Sequence, residues 1–149
     1  MARMSLSDLS TAAGVDLGVT EWIPVSQDRI DLFADATDDH QWIHIDAGKA
    51  SSGPFGGTIA HGYLTLSLAG AAVADLLVVP DAGSIVNYGL GKVRFPSPVP
   101  SGSLVRVRGR IEESVEVAGG YQVTVGLTAE REGSDRPVCV AEGIVRFLK

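Results

Sequence analysis

Residues 62–77, GYLTLSLAGAAVADLL, constrain this chain more than any other stretch. They are apolar or small on nearly every side, with no charge before Asp75. A helix lying on a protein surface carries one apolar and one polar stripe, whereas a helix apolar all round is buried in a core or a bilayer. A membrane span needs about 20 apolar residues, and His61, Asp75 and the GPFGG stretch upstream cut this run short. The expected element is a central helix, buried on most faces, that the rest of the chain wraps. Its start, Gly56-Gly57-Thr58-Ile59-Ala60-His61-Gly62, matters as much as its body. The first turn of a helix presents unpaired N–H groups at the positive end of the dipole. Gly62 has no side chain to keep a ligand away from them.

The remaining segments supply what such a helix needs. Residues 5–13 have the pattern of a short, loosely held helix, and 17–25 (LGVTEWIPV) that of a strand anchored by Val19 and Trp22. Ser26 is an N-cap and Asp28 sits in the first turn of a one-sided helix over 27–36, with Ile30, Phe33 and Ala34 at helical spacing. A loop over 37–46 follows, with Asp46 capping a short helix through Ala50. Residues 84–95 read as a strand ended by Pro96, Pro98 and Pro100. Val105, Val107, Gly109 and Ile111 then alternate with Arg106, Arg108 and Arg110, the period-two pattern of a sheet with one wet face. Tyr121, Val123, Val125, Leu127 and Ala129 alternate again, and 138–148 form a last strand. Turns at Gly119-Gly120 and 132–135 make these three an antiparallel meander. One buried helix and a curved antiparallel sheet give an α+β fold, and a sheet wrapped round the helix is a hot-dog fold.

At 149 residues and 45% hydrophobic content, a single domain over 1–149 has enough material for a core. A formal net charge of −6 argues against nucleic acid as a partner, since phosphate binding needs a basic surface. The lone cysteine, Cys139, allows no intrachain disulfide, and the N-terminus lacks an apolar signal core. The expectation is a cytoplasmic protein with no membrane association.

Chemistry concentrates in the 37–46 loop. Asp39 and His44 lie five residues apart, flanking Gln41. A carboxylate and an imidazole can together bind one water and move its protons near neutral pH. From spacing alone, solvated acids and a core histidine are the commoner explanation. Three histidines without a clustered carboxylate–histidine set are a weak metal signal, so no metal and no cofactor are expected.

Three segments together carry a more specific signal: Asp39-His40-Gln41-Trp42-Ile43-His44-Ile45-Asp46, the helix start ending His61-Gly62, and Lys92-Val93-Arg94-Phe95-Pro96-Ser97-Pro98-Val99. They resemble the MaoC-like, (R)-specific enoyl-CoA hydratase family from about Gln27 to the C-terminus. The family motif is Asp-x-Asn-Pro-(Leu/Ile/Val)-His-x-Asp, followed by a His-Gly that opens the hot-dog helix. Gln41 replaces its Asn, Trp42 its Pro, and Asp38 stands where a Gly precedes the catalytic Asp; these departures resemble the single-hot-dog, NodN-type branch. The resemblance implies that Asp39 and His44 hold the water that adds to a trans-2-enoyl thioester, Asp39 as base and His44 as acid. It also implies that the Gly62 N–H stabilises charge on the thioester oxygen, with Gln41 and His61 as further substrate contacts. The substrate would be an acyl-CoA or acyl-carrier thioester and the assembly a homodimer, which closes open sheet edges. Leu66, Ala69, Gly70, Val73 and Leu77 share one helix face below Gly62. The small Gly70 there either lines an acyl tunnel or packs against the sheet. The alternatives are a hot-dog thioesterase, which usually relies on a carboxylate near the central helix, and a non-catalytic acyl-binding subunit.

Overall fold

The period-two segments become the two longest strands of a computed structural model that describes residues 1–149. In chain order the elements are β1 (Ala2–Arg3), a 3-10 turn (Ser7–Thr11), β2 (Asp16–Val19), β3 (Ile23–Val25), α1 (Gln27–Thr37), α2 (Trp42–Ile45), α3 (Ala47–Ser51), α4 (Gly62–Leu76), β4 (Leu77–Val78), β5 (Ser84–Arg94), β6 (Ser103–Val117), β7 (Gly120–Arg131) and β8 (Cys139–Leu148). The main sheet runs β2-β6-β7-β8-β5, with β3 also on β6, all antiparallel. Val105, Val107, Ile111, Val123, Val125, Leu127, Ala141, Val145 and Phe147 point inward and share one core with Leu64, Ala69, Ala72, Val73 and Leu76 of α4. Gly109 takes an inward place in β6 because a Cβ there would stand 3.0 Å from Leu76 and 3.4 Å from Leu17. Its absence lets α4 and β2 close on the sheet. The curved sheet wrapping one long helix is the expected hot-dog architecture. No helix is long and apolar enough to cross a membrane.

Three local expectations are corrected. The first segment is not loosely held: Leu6, Leu9 and Ala12 are all buried in the main core. Their spacing of three suits a 3-10 turn, whose side chains eclipse at i and i+3, better than an α-helix. The 17–25 strand is two strands, and its inward residues are Leu17 and Val25, while Val19 is exposed and Trp22 lies half-buried under the Arg106 guanidinium. The cause is a bulge between Asp16 and Gly18, where Gly18 has φ +83°; an extra residue exchanges the two faces downstream. Finally, the covering of α4 is incomplete: most of its faces are enclosed as expected, but one is open. Tyr63 is 70% exposed, and Ser67, Ala71, Ala74 and Asp75 form a wet stripe, Asp75 with no ion-pair partner.

Candidate active site

The loop between α1 and α2 is built by local capping. Ser26 accepts the Arg29 N–H at the start of α1, as its sequence position predicts. At the other end Asp38 adopts φ 59°, ψ 18°, the left-handed conformation that glycine reaches without strain and Asp tolerates better than most residues. That explains why a Gly fits this place in the motif. Gln41 is the N-cap of α2 and Trp42 its first residue, the helical position that favours proline. Asp46 accepts the Lys49 N–H at 2.9 Å and starts α3.

The glycine-rich return then passes close to this loop. Ile59 N–H donates to the Ile43 carbonyl at 3.0 Å, and the Ile59 carbonyl receives His44 Nδ1–H at 2.7 Å. A carbonyl only accepts, so Nδ1 carries the His44 proton and Nε2 presents a lone pair. Burial pushes the His44 imidazole below its ordinary pKa; the Ile59 carbonyl and Asp39 pull it up, and His61 adds to the lowering. His44 is therefore a buried, neutral acceptor. Gln27 fixes its backbone, donating Nε2–H to the His44 carbonyl at 2.8 Å while Oε1 accepts the Thr58 hydroxyl at 2.7 Å. Nothing in local spacing marks Gln27, Thr58 or the Ile59 carbonyl for this role.

Asp39, His44 and His61 come together, one ligand atom of each lying within 4.8 Å of the others. The expectation that no carboxylate–histidine set clusters is thus corrected, because His61 approaches from 22 residues away. The two imidazoles stack at 3.8 Å with 24° between planes. Asp39 is exposed, and its Oδ1 accepts only a long 3.4 Å bond from the Gln41 backbone N–H; the Gln41 side chain is exposed. His40 lies outside the cluster, paired with Asp35 at 2.9 Å.

Gly62 is the first residue of α4, and its N–H has no acceptor in the chain. A Cβ there would meet the Phe95 ring at 3.2 Å. One turn further on, from Leu66, a cavity of about 460 Å³ opens between α4 and the sheet, lined by Leu66, Gly70, Val73, Tyr88, Leu90 and Ile144 among others. Nothing lies within 4 Å of where a Gly70 Cβ would be, whereas Ala69 is fully buried. The cavity does not itself reach Asp39 or His44.

The MaoC like domain matches residues 8–132. The chain is 48% identical to the 3-hydroxyacyl-thioester dehydratase Z of Mycobacterium tuberculosis over 97% of its own length and 96% of that protein. It is 46% identical to the nodulation protein N of Rhizobium leguminosarum bv. viciae, over 97% and 91%. Among solved structures, the unliganded R-hydratase PhaJ1 of Pseudomonas aeruginosa superposes with a TM-score of 0.77 at 23% identity, over 92% of this chain and 82% of that one, a likeness of fold. The chain belongs to the MaoC-like dehydratase family.

Proposed function

We infer that this chain is a hydro-lyase, an (R)-specific enoyl-thioester hydratase that adds water to trans-2-enoyl thioesters and removes it from (R)-3-hydroxyacyl thioesters. The observation that carries the reading is the clustering of the Asp39 carboxylate with a neutral His44 whose Nδ1–H is held by the Ile59 carbonyl, which leaves Nε2 free. The 3-hydroxyacyl-thioester dehydratase relative supports the reaction class. Both groups accept hydrogen bonds, so one water can donate to each and turn a lone pair toward the substrate β-carbon. As the O–Cβ bond forms, the π electrons move toward the thioester oxygen, where the free Gly62 N–H stabilises the charge. The water O–H bond breaks toward the pair, and that proton then goes to the α-carbon on the same face.

This balance revises the expected division into base and acid. A neutral His44 with its proton on Nδ1 has none on Nε2 to give at the outset; the pair carries one proton, and it comes from the water. The pH dependence follows. Protonating His44 removes an acceptor, so kcat/KM for hydration should be flat near neutrality. It should fall as pH drops through a pKa below the ordinary histidine value. A resting imidazolium acid would instead lose rate as pH rises through its pKa, and a pH–rate profile with crotonyl-CoA separates the two.

Loss of the double-bond absorbance of crotonyl-CoA without release of thiol tests the activity. Thiol release would mean a thioesterase, which α4 does not favour: its one acid, Asp75, lies exposed in the last turn. Neither signal would mean a binding subunit.

The acyl chain is proposed to run along α4 into the cavity at Gly70, which lies about 12 Å from Gly62 at 1.5 Å per residue. Gly70→Leu should stay folded, still hydrate crotonyl-CoA and lose octenoyl-CoA. An unchanged crotonyl-to-octenoyl ratio with a lowered melting point would place Gly70 in packing instead.

A homodimer is part of the proposal. Strand β5 is an open edge, with Ile85, Val86, Tyr88 and Leu90 43–56% exposed beside the wet stripe of α4, and such an edge invites a second copy. The substrate is an acyl-CoA or acyl-carrier thioester handled by one domain in the cytoplasm. The buried, unpaired Cys139 is compatible with that reducing compartment.

A further inference from the structure

His61 is the least accessible polar residue near the pair, 2% exposed, and it makes contact with every part of the proposed machinery. Its Nε2–H donates to the Asp39 backbone carbonyl at 2.9 Å, tying down the loop whose side chain is otherwise held only by the long bond from Gln41. Its ring is the platform on which His44 stacks at 3.8 Å, and the Phe33 ring packs tilted against it at 4.8 Å. Its carbonyl receives the Leu64 and Thr65 N–H groups that begin α4, and the next residue is Gly62. Donation from Nε2 leaves Nδ1 as a lone pair, and that atom is buried with no partner. A buried acceptor without a donor costs stability. A histidine kept only for packing would be better replaced by an apolar ring. A buried acceptor left without a protein donor calls for an explanation, and a role in the neighbouring site is one.

We propose that His61 is the positioning residue of this site: one imidazole sets the Asp39 loop, the plane of the His44 ring and the start of α4 relative to one another. The donor to Asp39 fixes the direction of the carboxylate through its backbone. The stack keeps His44 Nε2 in the plane that a shared water must occupy. His61 does this from within the fold and does not touch substrate, which replaces the expectation of a substrate contact. The proposal rests on the hydratase reading above, because it assigns His61 a function through that pair.

Two variants separate its roles. His61→Phe keeps a ring against His44 and Phe33 but removes the donor to Asp39 and the orphan lone pair. His61→Gln places an amide N–H where Nε2 stood and gives up the ring. For His61→Phe the expected result is a melting temperature equal to or above that of the parent and a kcat for crotonyl-CoA hydration at least tenfold lower. The affinity for a saturated acyl-CoA should change less than twofold. His61→Gln should recover part of the lost kcat. In the parent protein, long-range proton–nitrogen NMR should show His61 protonated on Nε2 and His44 on Nδ1. That readout remains decisive even where a variant fails to fold. A His61→Phe protein with parental kcat, a loss of kcat only in step with lost stability and no recovery in His61→Gln, or the opposite His61 tautomer each overturns the proposal. Asp39→Asn run in parallel distinguishes the two levels. If it too keeps its activity, the hydratase reading of the pair fails; if it is inactive while His61→Phe is not, only the positioning role fails.

Discussion

Asp39→Asn should fold like the parent and lose hydration of crotonyl-CoA by roughly 10²–10⁴-fold, the span that a positioned acid–base group typically contributes. The amide keeps the size of the carboxylate and an oxygen able to accept the Gln41 N–H, but it cannot take the proton that water must release. The fold should be indifferent. Asp39 is exposed, and its one strong structural bond is made by the backbone carbonyl to His61, which the substitution does not alter. Exposed replacements of this kind usually change stability by no more than about 0.5 kcal/mol. Kinetics alongside a thermal melt check both halves. A variant that retains most of its turnover would remove Asp39 from the chemistry and leave the cluster as a structural one.

Gly62→Pro should lower kcat by about 10²–10³-fold relative to Gly62→Ala, the usual cost of deleting one oxyanion donor. The comparison works because the local backbone already suits proline. Gly62 is the first helical residue, where the N–H has no helical partner to lose. His61, at φ −59° and ψ 138°, holds the extended conformation that a following proline demands. Both variants place a Cβ about 3.2 Å from the Phe95 ring, so both require that half-exposed side chain to shift by a few tenths of an ångström. Only proline also removes the donor. Alanine therefore measures the cost of the Cβ, and the difference measures the lost N–H together with the ring carbon that takes its place. Because such donors act mainly in the transition state, binding of a saturated acyl-CoA should be similar in the two. If alanine and proline lose turnover equally, crowding at the pocket accounts for the loss and the N–H contributes little.

The elements written in local patterns were readable in the sequence. Caps at Ser26 and Asp46, the alternation along β6 and β7, and the start of α4 at Gly62 each depend on a few adjacent residues, and each stands where expected. The wet stripe of α4 was not readable, because Ser67, Ala71 and Ala74 are small and look apolar by composition while burying little area. The bulge at Gly18 is hidden for a related reason: a positive φ leaves no mark on the alternation until the strand has already changed face. At the site, the proximity of Asp39 and His44 came from the resemblance, since their spacing alone is unspecific. The tethers that define their chemistry are long-range and pass through backbone carbonyls. Ile59 and His44 are 15 residues apart, Gln27 and His44 are 17, and His61 and Asp39 are 22. A carbonyl is present at every residue, so no side-chain pattern announces which one will fix a histidine tautomer. Trp42 and Asp38 are the instructive exceptions. Each departs from the motif at a position whose backbone explains the usual residue, a first helical position for Pro and a left-handed one for Gly.

The configuration of the product tests the central claim most directly, because a pair held on one side of the substrate delivers water to one face only. Crotonyl-CoA incubated with the enzyme and resolved by chiral chromatography should yield (R)-3-hydroxybutyryl-CoA alone, with none formed above background by Asp39→Asn. Racemic or (S) product, or free coenzyme A in place of the hydroxyacyl thioester, would contradict the assignment of Asp39 and His44 as the water-adding pair.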